Sequence, residues 1–313
     1  MEFIDAKAVS RAVDFRQAIA VLRDTVAAGF DPAEDSPRLS APLANGEFLF
    51  MPAQVGEYAA AKILTVTPGN GANGVPRIQG ICLLLDGSTH EPRAIIDGIA
   101  LTNLRTPAVS LAGVADVLRR RFGAGVRMAV FGNGVQAVPH VLAALAVVPV
   151  EHVAVIVRAA GRGSAVVGEL RELGIEADEV AGDERAAALA AAGLIVTATS
   201  APEPLFAAAE VSDDAIVVAM GSHSPAEREV PGELLARATV LVESHHSAQA
   251  EAGDVVLAEG EGHCRVAEAL TFKQVVESHG DLVPEGRPVV FKTTGMSWED
   301  AAIAAAIYER SRA

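Results

Sequence analysis

The chain of 313 residues predicts an α/β protein of two units, a parallel sheet in the middle of the sequence and an α+β unit built from its two ends. Three observations carry this reading. After Gly125, short apolar runs alternate with helical patterns, as in strands joined by crossover helices. Before it, several short strand-like runs follow one another with turn residues between them, as in an antiparallel sheet. Where the two regimes meet, an apolar run ending at Phe131, a turn Gly132-Asn133-Gly134-Val135-Gln136 and an apolar helical pattern stand in sequence.

In chain order, Asp14 is placed to cap a helix over 14–28, with Ala18, Val21, Leu22 and Val26 on one face and Gly29 at its end. Residues 30–46 hold Pro32, Pro37, Pro42, Asn45 and Gly46 and predict an extended loop. Strands are expected at 47–51, 61–67, 78–85 and 93–97, with Asp86-Gly87 opening a turn between the last two. A helix over 101–121 follows, with Pro107 tolerable only near its start. Strands at 126–131, 153–157, 175–180, 194–199, 215–219 and 239–242 alternate with helices at 135–147, 163–173 and 183–192. The tail reads as a loop from Pro284 to Pro288, a strand over 289–293 and a helix from Ser297 to Arg310. Ser297 with Asp300 resembles a capping box at its start. That helix lies outside the parallel count and is expected to return to the N-terminal unit, so residues 1–113 and 285–313 form one domain and 114–284 the other.

Composition excludes several classes. Lys and Arg number 25 against 40 Asp and Glu, a formal net charge of −15, which disfavours nucleic acid or an anionic membrane as partner. Cys82 and Cys264 are far apart and lack ligand spacing, so neither a disulfide framework nor a metal site is expected. The adjacent His245 and His246, read on a strand, would point to opposite faces and cannot easily share an ion; a solvated loop is expected there. Met1-Glu2-Phe3-Ile4-Asp5 has neither the basic nor the apolar segment of a signal peptide, and the apolar run 186–201 is short and broken by Gly193. A cytoplasmic protein is the expectation.

The glycine turn carries the first chemistry. Gly132 permits a tight turn, Gly134 the close approach of a phosphate, and Ala137 close packing of helix on strand, so a dinucleotide pyrophosphate is expected at the helix N-terminus with Val135 and Gln136 beside it. Sites for NAD present an acid about 20 residues later to bind the ribose 2′-hydroxyl. Here Val157 is followed by Arg158, Arg162 and Ser164 with no carboxylate, which favours a 2′-phosphate and hence NADPH, NADH remaining possible.

Five blocks then carry a family resemblance: Ala61-Lys62-Ile63-Leu64-Thr65-Val66-Thr67-Pro68-Gly69-Asn70; Leu101-Thr102-Asn103-Leu104-Arg105-Thr106; the Gly132 turn with Gln136-Ala137; Gly221-Ser222-His223-Ser224-Pro225 with Arg228-Glu229; and Phe291-Lys292-Thr293-Thr294-Gly295. Glu251-Ala252-Gly253-Asp254 also fits. In this order the chain resembles the ornithine cyclodeaminase/mu-crystallin family. The resemblance implies a homodimer, with a discontinuous substrate-binding and dimerisation domain and a central Rossmann domain for NAD(H) or NADP(H). It also implies one of the family's activities: ketimine reduction, ornithine cyclodeamination or alanine dehydrogenation, or a crystallin role.

Substrates of this group carry an α-carboxylate beside a C=N or C–N bond, and hydride transfer needs that carboxylate clamped. The resemblance gives Arg105 the carboxylate, which a guanidinium can grip bidentately, and gives Arg38 a second contact. Lys62 lies inside an apolar run. The resemblance places it in the cleft, where it would help bind the carboxylate and protonate the imine nitrogen, its pKa lowered by burial. Thr197, Thr199, Ser200 and Gly221 fall where family members meet the nicotinamide half, and Lys292 and Gly295 would approach nicotinamide or substrate. His223 departs from the family's cyclodeaminases, which resemble Gly-Gly-Asp here. A histidine can serve as acid or base, a water near His223 being the alternative to Lys62 as the proton source, but it supplies no fixed negative charge for a substrate amine. These features favour an NADPH-dependent reductase of Δ1-pyrroline-2-carboxylate or Δ1-piperideine-2-carboxylate, with ornithine cyclodeaminase, an alanine-type dehydrogenase and a nucleotide-binding crystallin as alternatives.

Overall fold

The computed structural model describes residues 1–312, the side chain at position 72 apart, and forms two compact units: Met1–Val109 joined by the chain from Gly295 onward, and Ser110–Thr294.

The first unit is a six-stranded sheet of β1 (Glu2–Ile4), β2 (Leu39–Leu43), β3 (Gly46–Val55), β4 (Tyr58–Val66), β5 (Ile78–Asp86) and β6 (Pro92–Asp97), in the order β1-β6-β5-β4-β3-β2. All pairs are antiparallel except β1 with β6. Period-two alternation decides its faces. Leu49 and Met51 of β3 and Leu64 and Val66 of β4 form a buried cluster on one side. The C-terminal helix Ser297–Ser311 packs on β3, β4 and β5 and on the helices Ala6–Ala12 and Phe15–Ala27. On the other side Phe48, Phe50 and Ile81 remain exposed. Asp14 caps the second of those helices in a full capping box with Gln17. The expected loop over 30–46 contains β2 instead. Its Pro42 needs no ladder donor because β2 is an edge strand.

The helix expected over 101–121 is two, Gly98–Ala112 and Ala115–Phe122. They break at Gly113, where a Cβ would lie 2.3 Å from the ring of Phe291. Pro107 sits in the interior of the first helix, forgoing one main-chain bond there.

The second unit is an eight-stranded parallel sheet of β7 (Val126–Phe131), β8 (Val150–Ile156), β9 (Ala177–Val180), β10 (Leu194–Thr197), β11 (Ile216–Ala219), β12 (Thr239–Val242), β13 (Leu270–Thr271) and β14 (Val289–Lys292). The order is β13-β12-β14-β11-β10-β7-β8-β9, so the direction of winding reverses between β7 and β10, the position where open α/β sheets bind ligands at their carboxyl ends. One expectation fails here. Residues 285–294 do not join the N-terminal unit: β14 inserts between β11 and β12, all four residues buried, and draws the boundary to 294. The other boundary falls at 109 rather than 113, inside the helix Gly98–Ala112. Among the described residues, no helix is long and apolar enough to cross a membrane.

Candidate active site

In the second unit, β7 ends at Gly132, whose φ is +108° and whose Cβ, if present, would lie 2.6 Å from the carbonyl oxygen of Ala198. A side chain there is barred both by backbone conformation and by space. At Gly134 a Cβ would meet nothing within 4 Å, so the turn opens outward at that residue. The helix Ala137–Leu145 starts directly after, with no side-chain cap at Gln136, and Val135 stands exposed beside it. Ala137 and His140 face inward. His140 Nδ1 lies 2.8 Å from Gln136 O and Nε2 lies 3.1 Å from Ser110 Oγ. Burial pushes the His140 pKa down to about 4, so the ring is neutral and structural. A glycine turn open on its outer side, before a helix whose N-cap residue makes no side-chain capping bond, could hold a pyrophosphate.

The loop after β8 exposes Arg158, Arg162 and Ser164. The segment 158–164 carries no acid of its own, yet one reaches it from β9. Glu179 accepts from Gly161 N, from Gly163 N at 2.6 Å and from Ser164 Oγ at 3.3 Å. Ser164 is thereby drawn into the loop's own bonding, and the two arginines are left projecting. Asn133 Nδ2 donates to Arg162 O at 2.7 Å, tying this loop to the glycine turn.

At the carboxyl ends of β10 and β11 the organising group is Glu229, fully buried. It accepts from Thr197 Oγ1 at 2.8 Å, Thr199 N at 2.8 Å, Thr199 Oγ1 at 2.6 Å and Gly221 N at 2.7 Å. Burial raises its pKa, against the hydrogen bond from Thr199. Asp254 Oδ1 in turn accepts from the backbone of Glu229 at 2.7 Å and Val230 at 2.8 Å. Lys292 is buried, with Nζ 2.9 Å from Asp254 Oδ2 and donating to Ser222 O at 2.5 Å. The expected ligand-contacting lysine is thus engaged as an internal tie between the ends of β14 and β11. Ser200 and His223 are exposed on these loops. The segment at Glu243 is no solvated loop: Glu243 is buried and accepts from Thr294 N at 2.8 Å, while Ser244 caps the helix His245–Glu251.

The first unit gathers the expected cations. Lys62, on the covered face of β4, has no exposed surface, and its Nζ lies 2.7 Å from Asp300 Oδ1 and 2.6 Å from Oδ2. Arg105, in the helix Gly98–Ala112, places Nε 3.1 Å from Asp300 Oδ1 and Nη1 3.1 Å from Glu299 Oε2. Arg38 Nη2 donates to Gly295 O at 2.8 Å. Gly295, expected against nicotinamide or substrate, has φ +81° and lies directly on the Arg105 guanidinium. The capping expectation also changes. Met296 is the N-cap, its N–H donates to Glu299 Oε1 at 3.0 Å, and Asp300 is spent on the cations instead. Asp35, in the loop before Arg38, accepts from Trp298 N at 3.1 Å.

The charges in this cluster follow from burial. Lys62 is lowered to about 8 by desolvation and then by Arg105, with Asp300 opposing both. Desolvation raises Asp35 to about 6. Cys82, paired with Lys62 across β4 and β5, is raised by burial and stays a thiol. Arg38, Lys62 and Arg105 against Asp300 and Glu299 leave one positive charge in excess when Asp35 is protonated, which suits a single carboxylate ligand.

Residues 8–313 match the ornithine cyclodeaminase/mu-crystallin family, and the chain belongs to that family. The Delta(1)-pyrroline-2-carboxylate reductase 2 of Burkholderia ambifaria is 29% identical over 302 residues, covering 95% of this chain and 92% of that protein. The Delta(1)-pyrroline-2-carboxylate reductase of Bacillus cereus is 31% identical over 287 residues, covering 88% of this chain and 85% of that one. The solved structure of Thermococcus litoralis Delta(1)-pyrroline-2-carboxylate reductase in complex with NADH and L-proline shares the fold, with a TM-score of 0.89 at 22% identity over 100% of this chain and 98% of that chain.

Proposed function

We propose that this chain reduces a small cyclic ketimine acid, Δ1-pyrroline-2-carboxylate or Δ1-piperideine-2-carboxylate, to the L-amino acid, using a reduced nicotinamide dinucleotide. The observation that carries the reading is the buried cluster of Lys62 and Arg105 with Arg38 beside it, three cations gathered in one place, in a chain that also holds a glycine turn at Gly132 suited to a dinucleotide. The names of the Burkholderia and Bacillus relatives support the same substrate class.

In this reading Arg105 and Arg38 hold the substrate carboxylate, because two planar guanidiniums can direct several N–H groups at its oxygens. Lys62 donates the proton that the imine nitrogen takes up. Bound NAD(P)H supplies the hydride. Gly132, Gly134, Val135 and Gln136 form the pyrophosphate site, while Thr197, Thr199, Ser200 and Gly221 form the nicotinamide side, with Lys292 and Glu229 fixing its loops. NADH is the cofactor named with the Thermococcus protein. Here the projecting Arg158 and Arg162 favour NADPH, with NADH also accepted. The exposed apolar face carrying Phe48, Phe50 and Ile81 is assigned to a second copy of the chain in a homodimer. A cytoplasmic location accords with the supply of reduced cofactor.

The test is direct. Purified protein with NADPH or NADH and either cyclic imine should oxidise the cofactor and form L-proline or L-pipecolate. No oxidation with either imine, at mildly acidic and at neutral pH, refutes the reading. Ammonia release from L-ornithine with catalytic NAD⁺ would instead favour a cyclodeaminase. In that case His223→Asp, which restores a carboxylate on the exposed loop, should raise the rate.

A further inference from the structure

The C-terminal helix carries two adjacent carboxylates, Glu299 and Asp300, both fully buried. Burying acids is unfavourable unless something specific holds them. Glu299 has a local duty through Oε1 at the helix cap. Asp300 does not cap: its Oδ1 and Oδ2 both face Lys62 Nζ, and Oδ1 also takes Arg105 Nε. A side chain 238 positions away in sequence from its partner thus holds a fully enclosed ammonium from one side.

We propose that Asp300 is a positioning residue for proton transfer: it fixes the ammonium of Lys62 and keeps it charged until the imine nitrogen takes its proton, while Glu299, which does not touch Lys62, shares with Asp300 only the holding of the Arg105 guanidinium. This rests on the ketimine-reductase reading. The imine carbon gains a hydride from the reduced nicotinamide, which is oxidised. The C=N π pair becomes the nitrogen lone pair, which takes the proton from Lys62 Nζ. The neutral lysine then recovers a proton from water.

The groups facing Lys62 are Arg105 from the helix Gly98–Ala112, Cys82 from β5 and Asp300 from the C-terminal helix, with Glu299 and Asp35 next to Asp300. Burial and Arg105 press Lys62 toward the neutral amine, and Asp300 resists. Without that carboxylate the proton leaves at lower pH.

The experiment is the pH profile of Asp300→Asn beside wild type. The rate kcat should fall about tenfold or more near neutral pH with a smaller change in KM. Its alkaline limb, near pH 8 in wild type, should move down by about one unit or more. Independently of turnover, the ¹³Cε resonance of Lys62, assigned by its loss in Lys62→Arg, should titrate at a correspondingly lower pH. Glu299→Gln should raise KM and leave the alkaline limb in place. If Asp300→Asn does not fold, as judged by circular dichroism and NADH fluorescence, Asp300→Glu serves: it restores the carboxylate and should keep the Lys62 titration within about half a unit of wild type while lowering kcat by displacement. A Lys62 resonance and alkaline limb unmoved by Asp300→Asn would overturn the proposal, as would a Lys62 titration shifted well down in Asp300→Glu. Wild type inert toward both imines would defeat the functional reading instead, and the Lys62 titration would still decide the role of Asp300.

Discussion

Gly295 lies against the guanidinium of Arg105: a Cβ at 295 would stand 2.2 Å from Nη1 and 2.8 Å from Nη2. The same residue has φ +81°, and its carbonyl accepts from Arg38 at 2.8 Å. One glycine therefore sets both arginines, and Gly295→Ala should push Arg105 off its place. We expect KM for the imine acid to rise about tenfold or more, with a stability loss of about 1–3 kcal/mol from backbone strain. Steady-state kinetics and thermal melts read the two effects, and NADH affinity should stay at the wild-type value.

Glu229 gathers four donors from the end of β10 and from the loops after β10 and β11, and an amide cannot accept them all. Glu229→Gln should cost about 1–3 kcal/mol of stability and weaken nucleotide binding about tenfold by loosening the ends of β10 and β11. Fluorescence titration with NADH measures the affinity. An unchanged Kd would mean that these loops do not shape the nucleotide site.

Cofactor choice can be read from ratios. Replacing both Arg158 and Arg162 by alanine should lower kcat/KM for NADPH about tenfold or more, and that for NADH much less. Glu179→Gln removes a negative charge from the same loop, so it should raise the NADPH-to-NADH ratio unless the loop collapses, when both values fall together. Equal effects of the double alanine variant on the two cofactors would remove the assignment of a 2′-phosphate site.

His140 makes a pH prediction. Its folded pKa, about 4, lies below the unfolded value near 6.5, so the unfolded chain binds a proton that the folded one refuses. Its contribution is complete above about pH 6.5 and is lost as pH falls toward 4. Asp35, raised to about 6, works in the opposite sense, so the observable is the difference between wild type and His140→Gln rather than either curve alone. Denaturant unfolding at several pH values should show the wild-type advantage shrinking by about 3 kcal/mol over that interval.

Local pattern made much of this legible in the sequence. The turn at Gly132 and the alternation after Gly125 follow from residue types next to one another, and the strands β7 to β12 fall close to where periodicity puts them. Placement in the sheet was not legible: Val289–Lys292 is apolar like its neighbours, and only spatial packing puts it between β11 and β12. Glu179 is not legible as part of this loop because it belongs to β9, whereas the loop it braces follows β8. Asp300 resembles a cap in the sequence because a three-residue spacing from Ser297 suits that role. A signal for the other role did exist. Lys62 shares the inward phase of β4 with Ala60, Leu64 and Val66, so a buried lysine required an acid, and the adjacent acids just before the apolar stretch Ala301–Ile307 of the last helix could supply one.

In the proposed reaction Arg105 with its neighbours recognises a carboxylate beside an imine. The most direct test compares Δ1-pyrroline-2-carboxylate with 1-pyrroline, the same ring without the carboxylate, in wild type and Arg105→Lys. Wild type should reduce the carboxylated imine far faster than the parent ring, and Arg105→Lys, keeping charge but losing the fork, should erase about 2 kcal/mol or more of that discrimination. Equal rates on both rings in wild type, or discrimination untouched in Arg105→Lys, would contradict this role of Arg105.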